Sequence, residues 1–265
     1  MAKVLIMGVV NVTPDSFTDG GSFLDPGAAA DHALSLIAQG ADIVDLGAES
    51  SRPGAAPVTV AEEWRRLEPV LKRLAATRTS ITISVDTYKP EIMMRAADCG
   101  ASVINDIHGA ERVPEERLRQ LAVRGMSYIA MHMIGDPQTM QTAPLDADAS
   151  VSVVTRFFAE RRERLGAAGF PVEKVWLDPG IGFGKTDAGN LALLRLSMRR
   201  ANDLNIAVGI SRKSFIGRMM GIPSPVERDP ASKMLELGLM LSGVRMIRTH
   251  DVENLAKLRA MVTDA

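Results

Sequence analysis

The chain has 265 residues, 46% hydrophobic and 24% charged, with a formal net charge of -1. That apolar share can bury a large core, which excludes a disordered chain, and the near-neutral balance excludes the broad basic surface that nucleic acid needs. Cys99 is the only cysteine, so no intrachain disulfide can form; with a first apolar run too short for a leader or a membrane span, a cytoplasmic protein with no membrane partner is expected.

A β-prone run over 4–10 stops at the polar, Pro- and Gly-containing stretch 11–27, which leads into a helical pattern over 28–39. The next strand, 42–47, runs into Glu49-Ser50-Ser51-Arg52-Pro53-Gly54. A helix over 60–76 follows, with Leu67, Val70, Leu71 and Leu74 at helical spacing. Strand 81–86 ends on Asp86 before helix 90–99, and strand 102–106 ends on Asn105-Asp106 before helix 114–123. Strand 127–131 leads into His132, a long irregular stretch over 133–148, and helix 149–168. Strand 174–178 ends on Asp178-Pro179-Gly180 before helix 187–203. Strand 206–210 runs into Ser211-Arg212-Lys213, with helical patterns over 214–220 and 231–241. The last strand, 244–248, leads into Arg248-Thr249-His250-Asp251 and helix 252–262.

Eight strand–helix units match a single (β/α)8 TIM barrel over 1–265, with long loops after strands 1, 2 and 5. A doubly wound open sheet would alternate in the same way. In such a sheet, however, only strands beside the switch point usually carry site residues, whereas nearly every strand here ends in groups capable of chemistry.

Asp86, Asn105 and Asp178 stand at strand ends. A buried carboxylate accepts hydrogen bonds only and suits adjacent N–H donors, as on the amino-pyrimidinone edge of a pterin or guanine; an amide adds a donor and an acceptor. Taken singly, Asp178 before Pro-Gly and Asp86 before Thr read equally well as turn or capping residues. Ser211-Arg212-Lys213-Ser214 opens a helix after an apolar strand, and its free N–H groups with a hydroxyl and an ammonium make a carboxylate or phosphate site. Arg248 and His250 share one face of the last strand and suit phosphate oxygens. Gly182-Phe183-Gly184-Lys185 lacks phosphate-loop spacing and reads as a tight turn, with Phe183 as a wall of the pocket. His32, His108, His132 and His250 show no metal-ligand spacing, and no Gly-x-Ser-x-Gly elbow supports a serine hydrolase.

A set of ordered segments carries a resemblance. They are Met7-Gly8-Val9-Val10-Asn11-Val12-Thr13-Pro14-Asp15-Ser16-Phe17, Asp45-Leu46-Gly47-Ala48-Glu49-Ser50-Ser51-Arg52-Pro53-Gly54, Ser84-Val85-Asp86-Thr87 and Ile104-Asn105-Asp106. They continue through Met131-His132-Met133, Asp178-Pro179-Gly180-Ile181-Gly182-Phe183-Gly184-Lys185, Ser211-Arg212-Lys213-Ser214 and Arg248-Thr249-His250-Asp251. Together they resemble the dihydropteroate synthase family of pterin-binding enzymes. The resemblance implies a TIM barrel, paired into a homodimer, that couples (7,8-dihydropterin-6-yl)methyl diphosphate with 4-aminobenzoate to give 7,8-dihydropteroate and pyrophosphate. It implies that Asp86, Asn105, Asp178 and Lys213 hold the pterin. Asn11, Ser51, Arg52, Arg248 and His250 hold the pyrophosphate, with Mg²⁺ near Asn11. Phe17, Pro53, Phe183 and Ser214 frame the aminobenzoate, and Asp19, Asp86, Lys213 and Arg248 are the catalytic groups.

Some residues depart from the family pattern. Ala48 replaces a glycine, Ser51 a threonine and Thr249 a common valine, and Lys233 falls where small residues are usual. The uninterrupted Gly182-Phe183-Gly184-Lys185 lacks the insertion of sulfonamide-insensitive relatives, which implies sensitivity. Two other readings stay open: a methyltetrahydrofolate-dependent corrinoid methyltransferase on the same barrel, and a paralogue that binds without turnover.

Overall fold

The computed structural model describes residues 3–13, 26–77 and 81–263. Eight parallel strands are β1 (Leu5–Asn11), β2 (Ile43–Gly47), β3 (Thr82–Asp86), β4 (Val103–Asp106), β5 (Ser127–Met131), β6 (Val175–Asp178), β7 (Ala207–Gly209) and β8 (Met246–Thr249). Between and after them run α1 (Pro26–Ala38), α2 (Val60–Ala75), α3 (Pro90–Asp98), α4 (Glu115–Val123), α5 (Ala147–Ala167), α6 (Asp187–Arg200), α7 (Ser214–Met220), α8 (Asp229–Leu241) and α9 (Val252–Thr263). Each expected element is present, with its ends displaced by only a few residues.

The strand order runs β6-β5-β4-β3-β2-β1-β8-β7. A parallel bridge between Leu177 and Ile206 joins the two remaining edges, backed by the Leu177 N–H donating to Asn205 O at 2.9 Å. The sheet is therefore a TIM barrel rather than an open wound sheet. Closure through this bridge gives every strand an inner and an outer face.

Strand alternation then sorts the residues. Met7, Ile43, Val103, Ile129, Trp176, Ala207 and Met246 form an apolar cluster of their own, separate from the larger core between sheet and helices. In register, Met7 lies beside Ile43, Ile129 beside Trp176 and Ala207 beside Met246, so this cluster fills the barrel interior. Two residues further along, four of these strands carry Asp45, Asn105, Asp178 and Arg248 on the same face. An apolar plug thus lies beneath a ring of polar groups.

Local signals explain the helix starts. Thr59 accepts from the Glu62 N–H at 3.2 Å, Asp146 from Ala149 at 2.9 Å and Thr186 from Gly189 at 3.1 Å. Each satisfies a donor that the first turn leaves open. At the opposite end of the barrel Asp42 ties three segments together. It accepts from the Ile6 N–H at 2.9 Å, pairs with Lys3 at 2.6 Å, and takes the Arg259 guanidinium of α9. Arg259 also donates to Val4 O at 2.8 Å and Gly40 O at 3.1 Å, so the last helix is anchored on the first strand. Replacing Asp42 with Ala removes the shared carboxylate of Lys3 and Arg259 and the acceptor of the Ile6 amide, and leaves Arg259 only its neutral carbonyl partners among these contacts. Urea unfolding of Asp42→Ala is expected to show a loss of about 2–4 kcal/mol.

Candidate active site

Asp86, Asn105, Asp178, Phe183, Lys213, Arg248, His250 and Ser51 line one cavity at the C-terminal end of the strands, with Ser211 beside them. They come from six of the eight strand–loop junctions and are scattered over two hundred residues of chain. The fold therefore brings together the groups that the sequence had marked one at a time. A larger cavity of about 790 Å³ opens at the N-terminal end, near Val4, Asn205 and Arg245. It contains none of the strand-end groups and is remote from the face where such barrels place their chemistry.

The floor of the site is an ion network. Arg248 Nε donates to Asp45 Oδ2 at 2.6 Å and Arg248 Nη2 to Asp86 Oδ2 at 3.2 Å. Asn105 Nδ2 donates to the same Asp45 oxygen at 3.0 Å. Asp45 is fully buried, so its charge needs these partners. It was not among the residues singled out from the sequence, although a carboxylate in the middle of Ile43-Val44-Asp45-Leu46 was signal enough. A buried acid inside an apolar strand requires a cation nearby.

Burial pushes the Asp86 carboxyl up to about 7, with Asp45 adding repulsion and Arg248 opposing it. Burial likewise lowers Lys213 to about 8, against the attraction of Asp178. Its ammonium lies 4.0 Å from the centroid of the Phe183 ring, a cation–π contact that orients the side chain across the cavity. Burial lowers His250 to about 3, reinforced by Arg248, Arg212, Lys213 and Arg52. At neutral pH its ring is uncharged, and Nδ1 stands 3.0 Å from Ser211 Oγ. His250 therefore offers a hydrogen bond to an anion rather than a charge.

Asp178 makes the turn and still faces the cavity. Oδ1 accepts from the Gly180 N–H at 2.7 Å and makes the turn, which leaves Oδ2 for a ligand. Burial raises its carboxyl, while Gly180, Lys213 and Lys185 pull the other way. The turn is held by close approach. Gly180 has φ +67°, and a Cβ there would lie 1.8 Å from His132 O. Lys185, almost wholly buried, donates to the same carbonyl at 2.9 Å. Burial lowers its ammonium to about 7.

The loop after β2 is pinned from both sides. Glu49 accepts from the Val58 N–H at 3.0 Å and from Tyr88 Oη at 2.9 Å, and Lys89 bridges it to Glu63. The Gly54 N–H donates to Pro137 O at 3.0 Å, which joins this loop to the one after β5. Ser51 thereby reaches the cavity, whereas Arg52 and Pro53 are exposed and do not line it. Asn11, at the end of β1, and Ser214, exposed at the start of α7, also lie outside the lining. Phe17 and Asp19 fall outside the described residues. Among the described residues no three His, Cys, Asp or Glu side chains are grouped to hold a metal, and no helix is long and apolar enough to cross a membrane.

A polar ring on the C-terminal face of a closed parallel barrel, with paired acids and cations and an aromatic wall, defines a small-molecule enzyme. The chain belongs to the family of pterin binding enzymes, whose model matches residues 7–250. It is 42% identical to the dihydropteroate synthase of Escherichia coli K12, over 97% of this chain and 90% of the relative. Among solved structures it resembles the Xanthomonas albilineans dihydropteroate synthase with 4-aminobenzoic acid (TM-score 0.90, 37% identity, 99% of this chain and 93% of that one). It also resembles the Yersinia pestis dihydropteroate synthase in a sulfonamide drug complex (TM-score 0.89, 39% identity, 99% and 94%).

The raised Asp86 makes a pH prediction. A carboxyl whose folded value exceeds its unfolded one adds stability that is full below about pH 4, declines as pH rises, and is lost above about 7. Thermal melts of the protein without added ligand should therefore show stability falling between pH 5 and 7. Asp86→Asn should flatten that slope by about 1 kcal/mol per pH unit. An unchanged slope would mean that Asp86 is ionised throughout.

Proposed function

We propose that the chain joins (7,8-dihydropterin-6-yl)methyl diphosphate to 4-aminobenzoate, releasing 7,8-dihydropteroate and pyrophosphate, and so acts as a transferase of folate biosynthesis. The observation that carries this reading is the single cavity shared by Asp86, Asn105, Asp178, Lys213, Arg248 and His250. Acids and an amide suit the N–H edge of a pterin, and a guanidinium with a neutral imidazole suits a leaving anion.

The chemistry fits these groups. Pyrophosphate leaves readily when its charge is matched, and an electron-rich dihydropterin stabilises the methylene cation left behind. An arylamine is neutral at pH 7 and attacks without a strong base. Orientation and charge placement are therefore the main tasks, and C–O cleavage is dissociative. Asp86, Asn105, Asp178 and Lys213 hold the pterin. Arg248, already oriented by Asp45 and Asp86, directs its remaining N–H groups at the pyrophosphate with Asn11, Ser51, Arg52 and His250. Phe17, Pro53, Phe183 and Ser214 frame the aminobenzoate, and Asp19 together with Asp86 favours the developing cation.

Asn11 supplies one hard oxygen donor, which fits a Mg²⁺ ion that takes its other ligands from pyrophosphate and water. Such an ion, when bound, supplies charge neutralisation at the pyrophosphate. Exposed Met219, Met220, Val226, Met234 and Leu241 on α7, α8 and the turn between them suit burial against a second copy, which supports a homodimer. The chain's compartment in this reading is the cytoplasm.

The test supplies both substrates with Mg²⁺ and follows pyrophosphate release and pteroate formation. Turnover is expected; pterin binding without release, or methyl transfer to cobalamin, would replace the reading. Asp178→Ala should weaken 6-hydroxymethylpterin binding by about 2 kcal/mol, read by calorimetry, because one charge-assisted hydrogen bond is lost. Unchanged affinity would leave Asp178 with its turn role alone.

A further inference from the structure

Behind the last strand, outside the cavity, lies a second buried charge cluster. Lys233 Nζ of α8 donates to Glu236 Oε2 at 2.6 Å and to Thr249 Oγ1 at 2.9 Å, and lies 4.0 Å from Asp251 Oδ2. Glu236 and Thr249 are wholly buried and Lys233 nearly so. Such a cluster is costly to desolvate, and an apolar trio of similar volume would often be no less stable. Its position suggests what it does.

β8 loses its ladder just here. The last pairs are Gly8 with Thr249 on the β1 side and Gly209 with Arg248 on the β7 side. From Thr249 onward the backbone is placed by side chains. Lys233 contacts the residues immediately before and after His250, while His250 itself turns to Ser211: its N–H donates to Ser211 Oγ at 3.2 Å. The neighbouring α8 residue holds Arg212, the residue that follows Ser211. Ser232 Oγ accepts from the Arg212 N–H at 3.1 Å, and Asp229 takes the Arg212 fork at 2.7 and 2.8 Å. Arg212 has φ +62°, a strained conformation for a side chain with a Cβ, and these bonds keep it there.

We propose that Lys233 is a positioning residue for His250: by bridging Thr249 and Asp251 from the outer side, it sets where the imidazole stands in the cavity. Glu236 keeps the ammonium aimed at the strand rather than at solvent. Burial raises the Glu236 carboxyl to about 6, so at neutral pH it is ionised and balances Lys233. What His250 then binds rests on the reading above; that Lys233 positions it does not.

Two variants test this. Thr249→Val removes only the hydroxyl that Lys233 grips. Lys233→Met combined with Glu236→Gln removes the charge pair without stranding a buried ion. The first readout needs no ligand: the imidazole nitrogen signals of His250 by NMR across a pH titration. In the unaltered protein the ring stays neutral down to about 3. In both variants it should titrate at least a unit higher, as the ring leaves its buried place. The second readout is calorimetry with inorganic pyrophosphate and with 6-hydroxymethylpterin. Pyrophosphate affinity should fall about tenfold, as displacement of a single group commonly costs, while pterin affinity stays within about twofold. His250 signals that match those of the unaltered protein in Thr249→Val would overturn the proposal. So would an equal loss of both ligands, which marks general loosening. If the double variant does not fold, Thr249→Val decides alone. If the unaltered protein does not bind pyrophosphate, the functional reading fails, and the NMR titration still decides the role of Lys233.

Discussion

The site depends on one geometric constraint: in a closed parallel barrel, every second residue of every strand must point inward. Because the strands tilt, residues of similar depth are not register partners throughout (Met7 pairs with Arg248 and Asn105 with Ile129), yet inward side chains still gather in layers, whatever their distance along the chain. Met7, Ile43, Val103, Ile129, Trp176, Ala207 and Met246 occupy the lower ring and exclude water from the interior. One step higher the same faces carry Asp45, Asn105, Asp178 and Arg248. The apolar ring gives the polar ring a dry floor, and a dry floor is what moves Asp86 up, Lys213 down and His250 to its neutral form.

Low dielectric would make this ring unstable if its charges were unmatched. Asp45 answers that by serving two neighbours with one oxygen, orienting Arg248 and Asn105 together. The arrangement is organised before any substrate arrives, so little reorganisation is left for the reaction itself. The loops follow the same logic. Glu49, Tyr88, Lys89 and Glu63 fix the loop after β2 by buried polar contacts, and Gly180 with Lys185 fixes the turn after β6 against His132. In both cases a buried polar group some distance from the cavity holds a short stretch that reaches it. The α8 cluster repeats this arrangement at the end of β8.

Much of the fold was legible because hydrophobic periodicity is a local property. Runs such as Ile81-Thr82-Ile83-Ser84-Val85, and helical spacing such as Leu67, Val70, Leu71 and Leu74, reveal element type without knowledge of neighbours. Strand-end residues such as Asp86, Asn105, Asp178, Lys213, Arg248 and His250 were also legible, because polar groups directly after buried strands are conspicuous. Asp45 was passed over. It looks unremarkable until Arg248, from a distant strand, stands beside it.

The chain by itself determined the eight strand–helix units, most of the polar groups at the strand ends and the family to which it belongs. Each of these follows from spacing, residue type and motif order. The tertiary structure decided how the sheet closes, which carboxylates share Arg248, that Asp178 makes its turn with one oxygen, and that Lys233 faces Thr249 rather than water. Those outcomes depend on pairings between residues far apart in the chain. Hydrogen bonds and desolvation act on distances in space, and the order of residues along the chain does not reveal them.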